Sequence, residues 1–157
     1  MNDLKIVAYQ EQYKLDFELL NRQWIEEYFE MEEEDLSILK NPHSYVLEKN
    51  GEIFFAIKGG KVVGTAAMVP TEIGIFELAK MAVEKNYQNH GIGKQLLKRC
   101  IKFAKEREAS EIFLITNDIL KPALNLYLSC GFELNEQNDD NRYLRGNTKM
   151  NLILGEK

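Results

Sequence analysis

Hydrophobic and polar residues follow two periods along the chain, and these periods predict the order of its helices and strands. Apolar residues recur every three or four positions over residues 12–29, 92–104 and 117–130, which predicts amphipathic helices. A shorter helix is expected over residues 36–40. Apolar or alternating runs predict strands at residues 4–9, 52–58, 61–69, 75–83, 111–116, 132–136 and 149–154, whereas the polar residues 137–147 predict a loop.

The strand at residues 75–83 is followed by a polar turn that opens through Gly91 and Gly93 into the next helix. The first turn of a helix has unpaired N–H groups, and glycine lets the main chain approach a phosphate closely. We therefore expect a phosphorylated ligand here. The turn is not a nucleotide P-loop, because Gln95 follows Gly93-Lys94, and Leu96 stands where a dinucleotide fingerprint needs its third glycine.

Two motifs and the order of elements resemble one known family. Gln88-Asn89-His90-Gly91-Ile92-Gly93 resembles the acyl-coenzyme A pyrophosphate loop of the GCN5-related N-acetyltransferase (GNAT) family. The segment from Ala123 to Phe132, ALNLYLSCGF, is similar to the family's A-x-x-L-Y-x-x-x-G-F. The order β-α-α-β-β-β-α-β-α-β-β is also that of this fold. The resemblance implies an α/β (α+β) GNAT fold, with a mixed central sheet flanked by helices, as a single domain over residues 1–157.

The resemblance also implies which residues hold acetyl-CoA, the expected co-substrate. Main-chain groups of the strand and its loop would bind it: Met81, Ala82, Val83, Gln88, His90, Gly91, Ile92, Gly93 and Lys94. The N–H of Met81 is the candidate donor to the thioester oxygen. Asn117 is a candidate partner of a pantetheine amide, or else a cap of the next helix, because Leu120 stands where the family usually carries asparagine.

Two residues are candidates for the catalytic proton transfers. Strand alternation predicts that Glu77 shares an apolar face with Ile75, Ala79, Met81 and Val83, where a poorly solvated carboxylate suits a general base. The alternative is a structural glutamate paired with a lysine such as Lys80. Tyr127 matches the family's tyrosine that protonates the departing thiolate, and a phenol with a pKa near 10 suits that role. Its alternative is packing alone.

Composition narrows the class of protein and of partner. A chain of 157 residues that is 45% hydrophobic predicts one domain, and the net charge of −5 argues against nonspecific nucleic-acid binding. With two cysteines and two histidines, neither a disulfide framework nor a zinc site is expected. No stretch has the length and hydrophobicity of a membrane span, so we expect no membrane partner and a cytoplasmic location.

The acceptor is the least determined part of the sequence prediction. Acidic residues over 26–35 fit a solvated helix end, or a pocket rim that attracts an amine. Trp24, Tyr28 and Phe29 fit a core, a pocket wall or a homodimer surface. The predicted function is transfer of acetyl from acetyl-CoA to a primary amine of a small molecule or peptide, in a ternary complex without a metal. A longer acyl donor and a non-catalytic acyl-CoA-binding module are the alternatives.

Overall fold

Seven strands form one mixed sheet in the computed structural model, which describes residues 3–155. The strands are β1 Leu4–Ala8, β2 Glu52–Lys58, β3 Lys61–Glu72, β4 Ile75–Val83, β5 Glu111–Thr116, β6 Glu133–Asn135 and β7 Thr148–Ile153. Their order across the sheet is β1-β2-β3-β4-β5-β7-β6. Neighbours are antiparallel, except that β4 and β5 run parallel. The mixed sheet is confirmed, and so is the predicted element order, apart from a short helix at residues 42–45 that the sequence did not predict.

Five α-helices cover the two faces of this sheet. They are α1 Lys14–Tyr28, α2 Glu33–Lys40, α3 Pro42–Tyr45, α4 Ile92–Glu106 and α5 Lys121–Ser129. Helix α2 begins three residues earlier than predicted because Asp35 accepts a hydrogen bond from the N–H of Glu32 and completes a capping box (2.9 Å). The predicted helix over residues 117–130 begins only at Lys121, with Pro122 in its first turn.

Each face of the sheet has its own hydrophobic core. Phe17, Ile38, Leu39 and Phe55 belong to the core under α1–α3. The larger core lies under α4 and α5 and includes Phe54, Ala66, Met68, Leu78, Leu96, Leu97, Phe103, Ile112, Leu114 and Tyr127. Over residues 3–155, no helix combines the length and apolarity that a membrane crossing requires.

An irregularity in β4 changes which side chains share a face. The ladder pairs Ala79 with Ala67 but Ala82 with Thr65, so β4 contains one extra residue, and Lys80 has a φ of +54°. Side chains beyond this bulge point to the opposite face from the one that strict alternation predicts. Met81 and Val83 therefore pack into the core under α4 and α5. The prediction that they share a face with Glu77 was wrong because the sequence does not reveal the bulge.

The two parallel strands separate partway along their length. The β4–β5 ladder joins residues 75–77 to residues 111–113 and ends at the pair Glu77 and Phe113. Beyond that pair β4 stays on β3, whereas β5 stays on β7. The sheet therefore opens into a wedge between the second half of β4 and the end of β5.

Candidate active site

A cavity of about 460 Å³ occupies this wedge. Its walls come from β4 on one side and from residues 114–117 on the other. The turn that leads into α4 and residues of α5 line one end of the cavity, on the side of the larger core. Trp24, Phe29, Tyr143 and Arg145 line the other end, beside α1. The cavity therefore connects the two faces of the sheet through the gap between its strands.

The loop end of the cavity is built to receive an anion. The first main-chain hydrogen bond of α4 runs from the N–H of Gln95 to the carbonyl of Gly91 (3.1 Å), so the N–H groups of residues 92–94 lack partners inside the helix. Gly91 has a φ of +80°, and a methyl group built on it would meet no atom within 4 Å. The backbone there is open to a ligand, and the helix dipole favours negative charge.

Gly93 has a different role from Gly91. A methyl group built on Gly93 would lie 3.3 Å from the Leu126 side chain and 3.4 Å from that of Met81. These contacts are tight, so the missing side chain at residue 93 lets α4, α5 and β4 approach one another. The sequence motif therefore combines one glycine that opens the backbone with another that permits close packing.

Most of the predicted donor-site residues line the cavity. These are Met81, Ala82, Val83, Gln88, Gly91, Ile92, Gly93, Lys94 and Asn117, and His90 lies outside this set. The Gln88 side chain is already engaged, because its Nε2 donates to the carbonyl of Val83 (3.1 Å). Gln88 thus ties the loop back to the end of β4.

Asn117 uses both ends of its side-chain amide within the protein. Its Nδ2 donates to the carbonyl of Arg145 (2.7 Å), and its Oδ1 accepts from the N–H of Ile119 (2.9 Å). The side chain thereby closes the turn before α5 and fastens the loop that precedes β7 to the end of β5. The sequence offered a helix cap or a ligand contact. The N-cap of α5 is Leu120 and no side chain caps it, so Asn117 is not the helix cap, and its contact with a pantetheine amide stays a prediction. Leu120 also lines the cavity.

Tyr127 lies on α5 and lines the cavity, with 8% of its surface exposed. Burial raises the pKa of its phenol to about 12, and the nearby Cys100 thiol adds to the rise. The phenol therefore carries its proton throughout the physiological pH range. The value near 10 expected from the sequence was too low because the sequence does not reveal this burial.

Glu77 also lines the cavity and is almost completely buried. Its Oε2 accepts a hydrogen bond from Nη2 of Arg142 (2.7 Å), and Asp140 holds that arginine through Nε (3.0 and 3.1 Å). The carboxylate is therefore paired, but the partner is an arginine of the loop before β7 rather than Lys80. A lysine partner such as Lys80 was the alternative that the sequence offered, but Lys80 bonds Asp35 instead.

A buried cluster of charges lies beside Glu77, and sequence reasoning missed it. Asp35, which is fully buried, accepts hydrogen bonds from Nζ of Lys80 (2.5 Å) and from Nη2 and Nη1 of Arg145 (2.5 and 2.8 Å). Glu32 pairs with the same arginine at 3.3 Å. The interpretation of this acidic segment as a solvated helix end was wrong for Asp35. A lysine inside an apolar strand was the signal that a buried acid had to exist elsewhere.

Burial and ion pairing have opposite effects on the pKa values of Asp35 and Lys80. Burial raises the pKa of Asp35, but the hydrogen bond from Arg145 and the charge of Lys80 outweigh it and lower the value from 3.8 to about 2. Burial lowers the pKa of Lys80, and Asp35 opposes that change. Asp35 is therefore ionised at neutral pH and holds the two cations in place.

Aromatic rings surround the Arg145 guanidinium at the aromatic end of the cavity, the part that Trp24, Phe29, Tyr143 and Arg145 line. Its central carbon lies 4.6 Å from the ring centroid of Tyr143, 5.6 Å from that of Trp24 and 5.8 Å from that of Phe29. The Tyr143 hydroxyl accepts a hydrogen bond from Lys80 Nζ (3.1 Å). The aromatic wall is thus fastened to the buried charge cluster.

Comparisons with known proteins agree on one family. Residues 12–132 match the sequence model of the acetyltransferase (GNAT) family. YvbK of Bacillus subtilis, described as an uncharacterized N-acetyltransferase, is 30% identical over 103 residues, which cover 64% of this chain and 66% of that protein. Mouse N-acetyltransferase 8 is 30% identical over 95 residues. That match covers 57% of this chain and 42% of the mouse protein, so this chain matches less than half of that relative's length.

Solved structures show the same fold over nearly the whole chain. A GNAT-family acetyltransferase from Staphylococcus aureus superposes with a TM-score of 0.89 at 25% identity, covering 97% of this chain and 99% of that one. The PaiA N-acetyltransferase of Thermoplasma acidophilum, solved with coenzyme A, superposes with a TM-score of 0.76 at 15% identity, covering 97% and 99%. At that identity the second likeness concerns the fold alone.

Proposed function

The chain belongs to the GNAT acetyltransferase family. We propose that it moves the acetyl group of acetyl-CoA to a primary amine of a small molecule or peptide. The observation that carries this proposal is the single cavity that the first turn of α4, Tyr127 and Glu77 all line. An anion site, a proton donor and a carboxylate thus share one space. These are the groups that acyl transfer from a thioester to an amine requires.

The donor would lie with its pyrophosphate at the first turn of α4. The N–H groups of Ile92, Gly93 and Lys94 would bind the phosphates, and the Lys94 ammonium would add a positive charge. Main-chain groups of residues 81–83 would hold the pantetheine arm in the wedge. We assign the N–H of Met81 to the thioester oxygen, where one well-placed donor is worth about 10²-fold in rate.

The acceptor amine would approach from the aromatic end. Glu77 would take a proton from the ammonium form, directly or through a water molecule, and leave a free electron pair on nitrogen. The nitrogen then bonds to the acetyl carbon as the carbon–sulfur bond breaks. Tyr127 would give its proton to the departing sulfur, and the second proton that the nitrogen loses as the amide forms would restore the phenol. Burial keeps this phenol protonated, so it has a proton to give.

Direct transfer in a ternary complex fits the residues of the cavity better than an acetyl-enzyme. Within residues 3–155, no cysteine lines the cavity, and Cys100 is fully buried. Burial also raises the pKa of the Cys100 thiol to about 12, so it is a poor nucleophile. Both cysteines are free thiols, which supports our expectation of a cytoplasmic location.

Initial rates of thiol release test this proposal when acetyl-CoA and an amine are varied together. Intersecting double-reciprocal lines are expected, and parallel lines would contradict direct transfer. Glu77→Gln should lower kcat about tenfold to hundredfold with little change in the KM for acetyl-CoA, because an amide cannot accept the proton. Glu72→Gln is the matched control at an exposed site. Equal rates for the two variants would refute the role of Glu77.

A further inference from the structure

The acidic residues near the aromatic end of the cavity are matched by cations of the protein itself. Asp35 is bonded by Lys80 and Arg145, and Glu32 is paired with Arg145. Among the described residues that line the cavity, Glu77 is the only acid, and Arg142 already occupies its Oε2. The acidic sequence suggested a pocket that attracts cations, but the folded pocket has little uncompensated negative charge.

The cations of the cavity lining are likewise engaged by the protein or lie at the other end. Lys80 and Arg145 line the cavity but are paired with Asp35, and Lys94 belongs to the first turn of α4. A second ammonium group on the acceptor would lose its hydration inside this space and would find no carboxylate that is free of a cation. Such an uncompensated buried charge is strongly unfavourable. Polyamines and lysine-rich peptides are therefore poor acceptors for this pocket.

The wall of the aromatic end favours an acceptor with a flat, apolar group. Trp24, Phe29 and Tyr143 pack around Arg145, and the Trp24 and Phe29 rings meet edge to face with centroids 6.3 Å apart. Two hydrogen bonds to Asp35 hold the Arg145 guanidinium in place, and the three rings pack around this fixed group. Tyr28 also lines the cavity and leaves about half of its surface exposed (53%). Rigid aromatic faces bind a planar group with little ordering cost.

From this balance of charge and shape we propose that the acceptor is a small monoamine that carries an aromatic group and no second cationic group. This inference rests on the proposed acetyl transfer. The aromatic group lies against Tyr28, Trp24 and Phe29, and its amine reaches Glu77. We assign the amine to Oε1 of Glu77, since Arg142 bonds Oε2.

Two matched pairs of amines test the proposal through acetyl-CoA-dependent thiol release. Comparing kcat/KM for 2-phenylethylamine with that for ethylamine isolates the effect of the aromatic group. Comparing pentylamine with 1,5-diaminopentane isolates the effect of the second charge. We expect kcat/KM to be at least tenfold higher for the first member of each pair. A diamine or a lysine-rich peptide that equals or exceeds 2-phenylethylamine overturns the proposal.

Variants of Tyr28 separate this acceptor class from the catalytic proposal. Tyr28→Ala should lower the ratio of kcat/KM for 2-phenylethylamine to that for ethylamine at least fivefold, and Tyr28→Phe should preserve the ratio because the ring remains. An unchanged ratio in Tyr28→Ala overturns the assigned wall. Thiol release with polyamines alone overturns only the acceptor class, whereas no release with any amine overturns both proposals.

Discussion

Replacing Asp35 with asparagine should be among the most destabilising single changes near the site. The substitution keeps the size of the side chain but removes the charge that faces Lys80 and Arg145, both largely buried. Lowering the pKa of Asp35 from 3.8 to about 2 corresponds to about 2.5 kcal/mol. Removing one partner of a buried pair costs roughly 3 to 5 kcal/mol. We therefore expect Asp35→Asn to lower the free energy of unfolding by about 3 kcal/mol or more.

Urea unfolding at a series of pH values measures this effect. Because the folded pKa of Asp35 lies below its ordinary value, its contribution is fully present above pH 4 and is lost as the pH falls through about 2. The gap between the wild type and Asp35→Asn should thus be constant at neutral pH and should narrow below pH 4. Glu33→Gln is the control, since Glu33 is an exposed acid in the same helix turn.

Lys80→Met provides a second measurement if Asp35→Asn fails to fold. It removes one cation but leaves both hydrogen bonds from Arg145 to Asp35, so it should cost less than Asp35→Asn. The reasoning is refuted if the free energies of unfolding of Asp35→Asn and Glu33→Gln differ by less than about 0.5 kcal/mol, a difference typical of surface substitutions. It is also refuted if the effect does not change between pH 5 and pH 2.

Three further predictions concern the donor side of the cavity. Tyr127→Phe should reduce turnover at least tenfold while coenzyme A binding stays nearly unchanged, and unchanged turnover would exclude the phenol as the acid. Gly91→Val should weaken acetyl-CoA binding at least tenfold in titration calorimetry, because a branched residue is strained at a φ of +80° and blocks the main chain. Gly60→Val, at a φ of +81° in the β2–β3 hairpin, is the matched control and should bind normally. Gly93→Val should lower the melting temperature by forcing α4 away from Leu126, and an unchanged value would contradict that tight contact.

The order of elements was predictable from the sequence because it depends on local periodicity and on short motifs. Every predicted strand exists, and β4 has the predicted bounds at residues 75–83. The Q-x-x-G-x-G spacing also identified the turn into α4. Such features involve residues that are near one another in the chain, so one sequence contains the information that specifies them.

The aromatic end of the cavity was not predictable, because its contacts join residues far apart in the chain. Arg142 bonds Glu77 across 65 positions, and Arg145 bonds Asp35 across 110. The bulge at Lys80 then decides which side chains face which end of the cavity. One extra residue in a strand reverses the faces of all the residues after it, and no local pattern indicated its position.

Isothermal titration of the protein with acetyl-CoA and with free coenzyme A tests the central claim most directly. The open first turn of α4 and the wedge between β4 and β5 predict binding of both at micromolar concentrations. The Gly91→Val variant should lose most of that binding. If neither ligand binds the unaltered protein, the assignment of the cavity as an acetyl-CoA site is contradicted, and the proposed transfer with it.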